Sequence, residues 1–328
     1  MREEQGVGGA RVQEQGRGRD AERPSQIPAA GLKDVFWRLF AAINEDRVML
    51  IAAGVTYYLL LALFPAMAAL VSIYGFVASP ADIAERIVFM SSVMPADALN
   101  IFLDQLKSLA SQPSSTLSIG LIAGLGIALW SANNGMKALF EAMNVAYQEN
   151  EKRSFLKLNA ISLLFTFGGM MLVIIMIIAM GVVPAVLSFL RLDQWAETII
   201  RLARWPLLVL FVAGAIAILY RFGPSREPPK PRWLTWGTIF ATVFWLAASI
   251  GVSFYLSNFA DYNATYGTLG AMIGFMVWTW VSVIIVIVGA EINAELEHQT
   301  AQDSTTGSPQ PLGQRGAYMA DTVGKSSS

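Results

Sequence analysis

Six stretches of this chain run for about twenty residues with almost no charge, at 48–77, 117–139, 158–184, 205–220, 234–256 and 268–290. That is the length an α-helix needs to cross a hydrocarbon core about 30 Å thick. The third stretch stays apolar to 190, but Pro184 breaks it, and the fourth is the shortest. Charged residues make up 14% of the 328 and hydrophobic ones 55%, too little polar surface to cover a globule in water. The pattern predicts an all-α, polytopic membrane bundle of about six transmembrane helices.

The composition removes several function classes. No cysteine is present, so no disulfide, thiolate nucleophile or cysteine-ligated metal is available. The single histidine, His298, excludes a multi-histidine metal centre and is expected in solvated tail. The net charge of −1 argues against nucleic acid as a partner. An intramembrane enzyme ranks last, because no nucleophile–base or metal constellation is visible. No cofactor is expected.

The ends differ from the middle. Residues 1–31 are rich in Gly, Gln, Arg and Glu and hold no apolar signal-peptide core; 298–328 are rich in Ser, Thr, Gly and Gln. Both are expected as disordered cytoplasmic tails around a membrane domain at 32–297. With the N-terminus inside, ten Lys and Arg flank the inner ends of the spans and five the outer, which favours cytoplasmic termini. An amphipathic stretch from Val35 to Ile43 suits the interface plane. Helical spacing over 79–111 predicts short amphipathic helices on the outer face. Trp233 and Trp236 fall at interface level.

Polar residues inside or beside the spans are the candidate site. Asn133 and Asn134 end the second run, with helix-end solvation as the plain alternative. Asn258, Asp261, Tyr262, Asn263 and Tyr266 form the densest polar junction, either a gate or a hydrogen-bonded turn. Glu291 and Asn293 end the last span; a carboxylate at a helix C-terminus wants a cation, and Arg221, Arg38 and Arg47 are the candidates. Glu291, being deeper, is expected to matter more than Glu297. Gly120 and Gly124, and Gly270 and Gly274, have the four-residue spacing that lets helices pack closely in lipid, for gating or for ordinary bundle contacts; Gly267 precedes the second pair.

Several pieces, in order, resemble the YihY/BrkB family of bacterial inner-membrane proteins. They are Ala53-Gly54-Val55-Thr56-Tyr57-Tyr58 running to Pro65, Leu129-Trp130-Ser131 running to Gly135, and Met143-Asn144-Val145-Ala146-Tyr147. Leu219-Tyr220-Arg221-Phe222-Gly223-Pro224, Tyr262-Asn263-Ala264-Thr265-Tyr266-Gly267 and Gly289-Ala290-Glu291-Ile292-Asn293 complete the set, which covers about 32–297. The resemblance implies six helices, a multi-pass inner-membrane location and cytoplasmic termini. Some members carry an old ribonuclease BN label, which nothing in these residues supports.

The leading expectation is transport or handling of a lipid-like or small amphiphilic substrate, with Thr56, Tyr57, Tyr58, Pro65, the Asn258–Tyr266 junction and Glu291 lining or gating a path between helices. Asn133, Asn134 and Asn293 join that set. The alternative is a non-transporting membrane scaffold or assembly partner for the cell envelope. Membrane lipids are the expected surroundings, and a second copy or an envelope protein a candidate partner.

Overall fold

The computed structural model of the chain describes residues 16–77, 114–177, 194–258 and 269–326. Helix is the only extended regular element among them, beside one isolated bridge between Pro229 and Thr305. A first helix, α1 (Ala29–Glu45), turns through Asp46 and Arg47 into α2 (Val48–Val77). The long helices α3 (Ser114–Ala146), α4 (Phe155–Ile177), α5 (Gln194–Phe222), α6 (Thr235–Asn258) and α7 (Leu269–Glu297) follow, and a single turn, α8 (Tyr318–Asp321), lies near the end.

Four helical segments are long and apolar enough to cross a membrane: Phe155–Met176, Thr198–Phe222, Thr235–Tyr255 and Met272–Glu297. α2 opens with a shorter apolar stretch, Val48–Ala62. Their outer faces expose Leu164, Phe167, Leu210, Val243, Ile250 and Phe254. Exposed apolar area on that scale is a liability in water and the matching surface in hydrocarbon. The six expected apolar runs correspond to α2–α7: α2 coincides with its run, while α3 continues to Ala146, α7 to Glu297, and α5 starts at Gln194 with Pro206 inside it. Apolar content marks the part of a helix that lipid solvates, whereas backbone hydrogen bonding carries the same helix into polar surroundings.

The core lies toward the end of the bundle where α1 starts and α7 finishes, hereafter the terminal end. Ala52 and Val55 of α2, Phe140, Ala142, Met143 and Ala146 of α3, Ile216 and Leu219 of α5, Ala241 of α6 and Ile287, Ala290 and Ala294 of α7 form one buried cluster. Alanine is the most frequent residue in it, since lipid solvates large apolar side chains as well as a protein core does and close backbone packing provides the attraction. The tightest case is α6 on α7. A Cβ at Gly237 would overlap the Gly289 carbonyl oxygen, and one at Gly289 would overlap the Tyr220 hydroxyl. Of the glycines expected to carry packing, Gly274 is buried and Gly124 half-buried; Gly120 and Gly270 lie within α3 and α7.

The terminal stretches depart from the expected solvated tails over their described residues. Arg315 donates to the carbonyls of Ala301, Gln302, Gln310 and Ala320 at 2.7–3.1 Å, folding the C-terminal segment around one guanidinium. Arg19 donates to the carbonyls of Gln299 and Gly324, and the Thr300 hydroxyl to that of Ala21, which ties the two ends together. A few long polar side chains satisfy backbone carbonyls that an apolar core would otherwise have to bury in regular structure. Trp233, expected at the interface, is buried with Ala21, Ile27, Val35 and Leu296; Trp236 is exposed. α1 buries Gly31, Asp34 and Val35 and exposes Leu32, Phe36, Trp37 and Phe40, the apolar face an interfacial helix requires. The outer-face helices expected over 79–111, Pro184, Asp261, Tyr262, Asn263, Tyr266 and Gly267 lie outside the described residues.

Gly289→Ala is expected to lower the thermal midpoint of the detergent-solubilised protein, at a cost of about 1–3 kcal/mol from overpacking. Gly251→Ala, where a Cβ meets nothing within 4 Å, is expected to be neutral or stabilising by roughly 0.5–1 kcal/mol. Equal midpoints for the two variants would show that the α6–α7 approach is looser than described.

Candidate functional site: an acidic cluster at the terminal end of α7

The last two turns of α7 bury three carboxylates and an amide: Glu291, Asn293, Glu295 and Glu297 are each at most 4% exposed. The 3.6-residue period sends Glu291 and Glu295 to one face and Asn293 and Glu297 to another. Buried charges at a helix C-terminus are doubly unfavourable, through desolvation and the helix dipole, so each needs a compensating partner.

Two of the three have one. Glu297 receives a forked pair of hydrogen bonds from Arg226, at 2.9 and 2.5 Å, and a third of 2.5 Å from the Ser304 hydroxyl. The Arg226 side chain is 0% exposed and its guanidinium lies 5.0 Å from the Tyr147 ring centre. Glu295 accepts from Arg38 Nε at 2.6 Å; the same guanidinium reaches the Glu295 and Lys325 carbonyls and the Gln299 amide oxygen. His298, expected in solvated tail, is half-buried instead, its Nδ1 3.8 Å from Glu295 and its Nε2 3.1 Å from the Thr322 hydroxyl.

Glu291 is different. Neither carboxylate oxygen has a hydrogen-bond donor among the described residues. The group in hydrogen-bonding reach is another carboxyl, that of Asp46 at the α1–α2 turn, and with both ionised neither can donate. The sequence expectation of Arg221, Arg38 or Arg47 as partner is thereby corrected: Arg38 is engaged by Glu295, Arg47 occupies a left-handed turn at φ 51°, and Arg221 has no ion pair among the described residues. Burial, joined by the charges of Glu45 and Glu295, pushes the Asp46 carboxyl above the usual carboxylate range, although its contact with Glu291 opposes this.

Two further buried groups beside the pair have unfilled hydrogen-bonding capacity. Tyr147 Oη and Asn293 Nδ2 are both without a hydrogen bond of good geometry, while Asn293 Oδ1 accepts from the Gly237 N–H at 2.8 Å. Burial keeps the Tyr147 phenol well above its ordinary range, so it is a neutral hydroxyl. Tyr220 closes the cluster by donating to the Val286 carbonyl at 2.7 Å. Around its rim, Asn144 bridges the Ser225 N–H and Glu151. Burial resists ionisation of Glu151, but hydrogen bonds from Arg153 and Asn144 hold it down at about 2. The cluster thus holds carboxyls, a phenol and an amide that proton exchange can rearrange.

Of the residues singled out by sequence, Glu291 and Asn293 come together here. Thr56 is buried and donates to the Ala52 carbonyl of its own helix. Tyr57 and Tyr58 stand edge to face at 5.8 Å on the outer surface, 56% and 38% exposed. Asn133 is buried with an unsatisfied oxygen, Asn134 accepts from Lys137 at 3.4 Å, Pro65 lies within α2, and Asn258 closes α6. Sequence reading passed over Asp46, Tyr147 and Arg226 as site residues. An acid directly ahead of the first apolar run was the available signal for Asp46; nothing in the proline-rich 224–231 loop marked Arg226.

A lipid-matched bundle with a buried acidic cluster at one end defines an integral membrane protein of the polytopic helical class. The chain matches the family model described as Virulence factor BrkB over residues 39–312, and it belongs to that family. It is 32% identical over 274 residues to the putative ribonuclease-like protein YfkH of Bacillus subtilis, covering 81% of this chain and 94% of that one. A UPF0761 membrane protein of Haemophilus influenzae is 21% identical (80% and 94% covered), and one of Alteromonas mediterranea 28% (82% and 89%). No solved structure matches. Among the described residues, no group of three or more His, Asp or Glu is placed to hold a metal ion.

Glu297→Gln or Arg226→Met is expected to destabilise by about 3 kcal/mol, since each strands the other's buried charge. Glu291→Gln removes a carboxylate that has no counter-charge and is expected to leave the thermal midpoint unchanged or raise it. That order reverses the sequence expectation for stability, and a thermal-shift series on the three variants checks it. A carboxyl raised in the folded state binds its proton more tightly there, so its contribution to stability falls as pH rises above 3.8 and levels off past the raised value. Asp46→Asn is expected to flatten that part of the stability–pH curve; parallel curves would exclude it.

Proposed function

We propose that this chain moves or handles a lipid-like or small amphiphilic substrate in a bacterial inner membrane, with proton binding at the Asp46–Glu291 pair as its switch. The observation that carries the reading is the Glu291 carboxylate, buried in the last helix with no donor and no cation. An ionisable group retained at that expense marks function by default. One proton on the pair removes a like-charge repulsion of about 4 kcal/mol, taking roughly 4 Å and an effective dielectric near 20. That approaches the roughly 5.5 kcal/mol that takes a two-state equilibrium from 1:99 to 99:1. The neighbouring ion pairs, Arg38–Glu295 and Arg226–Glu297, anchor the end of α7 beyond the pair.

Orientation follows from charge. Arg38, Lys152, Arg153, Arg226 and Lys230 gather at the terminal end, a positive-inside bias that supports a cytoplasmic terminal end. A non-transporting scaffold is the second reading, favoured by the folded 298–326 segment, which presents Leu312 and Tyr318 at its surface.

Proteoliposomes carrying fluorescent-headgroup phosphatidylglycerol, with dithionite quenching as the readout of transbilayer movement, test this. Wild-type protein is expected to accelerate movement in a pH-dependent way, and Glu291→Gln to lose the pH dependence while staying folded. No acceleration by the wild type supports the scaffold, and an identical pH response in both proteins removes Glu291 from the mechanism.

A further inference from the structure

Arg221, in the last turn of α5, faces a groove of about 430 Å³ between α5 and α6, together with Ile218, Leu234, Thr235 and Ile239. Its Nε is buried without a hydrogen bond, its guanidinium lies 5.4 Å from the Phe222 ring centre, and no carboxylate among the described residues pairs with it. Nearby cations are engaged: Arg153 with Glu151, Arg226 with Glu297, and Lys230 with the Asp303 carbonyl. Thr235 begins α6 beside the groove, so the positive end of a 24-residue helix faces the same space. A second groove of about 320 Å³, lined by Leu207, Phe211 and Gly214 of α5 with Gly168 and Met171 of α4, meets the first at Ile218.

The spacing of these α5 residues is informative. Leu207, Phe211, Gly214, Ile218 and Arg221 step by four, three, four and three, so they form one stripe along a single helix face. From Leu207 to Arg221 the helix rises about 21 Å, more than the roughly 15 Å of hydrocarbon in one leaflet. The stripe is apolar along its length and cationic at the end. A free anion would use only that end, and an uncharged lipid only the rest. Gly214 and Gly168 keep the track open, because each leaves empty the space a Cβ would take, and a Cβ there would meet nothing within 4 Å.

We propose that this stripe is a binding site for an anionic phospholipid, its phosphate on the Arg221 guanidinium and one acyl chain along Ile218, Gly214, Phe211 and Leu207. Arginine suits a phosphate because its planar fork offers two parallel N–H donors. The site stands whether or not Asp46 and Glu291 exchange a proton, and its test involves neither movement nor a pH gradient.

Delipidated protein in neutral detergent is titrated with phosphatidylglycerol or phosphatidylcholine, and occupancy is read by native mass spectrometry. Arg221→Gln is expected to weaken phosphatidylglycerol binding about fivefold and to leave phosphatidylcholine unchanged, while Arg221→Lys keeps most of the preference. Gly214→Phe, which fills the track on a surface where nothing is displaced, is expected to weaken both lipids. Excess inorganic phosphate is expected not to compete. Unchanged phosphatidylglycerol selectivity in Arg221→Gln overturns the proposal, and so does full competition by inorganic phosphate, which would reduce the site to an anion contact. Circular dichroism of each variant keeps misfolding apart from lost binding, and because Arg221→Gln and Gly214→Phe act on different parts of the stripe, failure of one variant to fold leaves the other decisive: unchanged binding of both lipids by folded Gly214→Phe also overturns the proposal.

Discussion

The ion pair between Arg226 and Glu297 holds the terminal end together, because both charges are closed off from water and neither can be left alone. Arg226 comes from the loop after α5 and Glu297 from the last turn of α7; Ser304 of the C-terminal segment and the Tyr147 ring after α3 complete the enclosure. Four parts of the chain thereby share one electrostatic constraint. Breaking such a pair costs more than its net contribution, since the remaining charge is stranded in a low-dielectric site. The folded segment beyond α7 depends on it: Ser304 anchors to Glu297, and its carbonyl accepts from the Lys230 N–H.

Against that background Glu291 is the exception. Its neighbours along α7 are neutralised, Glu295 by Arg38 and Glu297 by Arg226, while Glu291 meets the Asp46 carboxyl and no cation among the described residues. Tyr147 and Asn293, each with a buried polar atom lacking a partner, lie beside it. Native folds satisfy most such groups, so three of them gathered at the terminal end, two on α7 and one just after α3, stand out. The aligned backbones of Gly237 and Gly289 bring α6 and α7 close enough to hold the cluster without large side chains between them.

The acidic cluster and the α5 stripe share the terminal end but differ in character. The cluster is enclosed and rich in carboxyls; the stripe is open to the side and ends in a guanidinium without an acid. That the Bacillus subtilis relative is named ribonuclease-like adds no residue to either surface.

How much of this was legible in the sequence follows from which forces are local. Six apolar runs identified α2–α7 because transfer into hydrocarbon depends on the composition of each segment alone. The 48–77 run matched α2, while the ends of α3 and α7 were read too short, since Glu295 and Glu297 look like solvent-facing helix ends until their cations are known. The two terminal stretches looked unstructured, because Arg315 and Arg19 fold them through backbone carbonyls, which leave no trace in side-chain patterning. Glu291 and Asn293 were visible as polar residues at the edge of a span. Which acid is compensated was not, because the answer lies in contacts between Arg38 and Glu295, 257 residues apart, and between Arg226 and Glu297, 71 apart. The sequence by itself determined that the chain lives in a bilayer as helices, since hydrophobicity acts segment by segment. Only the tertiary structure decided that Glu291 has no cation beside it among the described residues and that Arg221 faces an open groove, since the balance of buried charge is settled by whichever helices come to lie side by side.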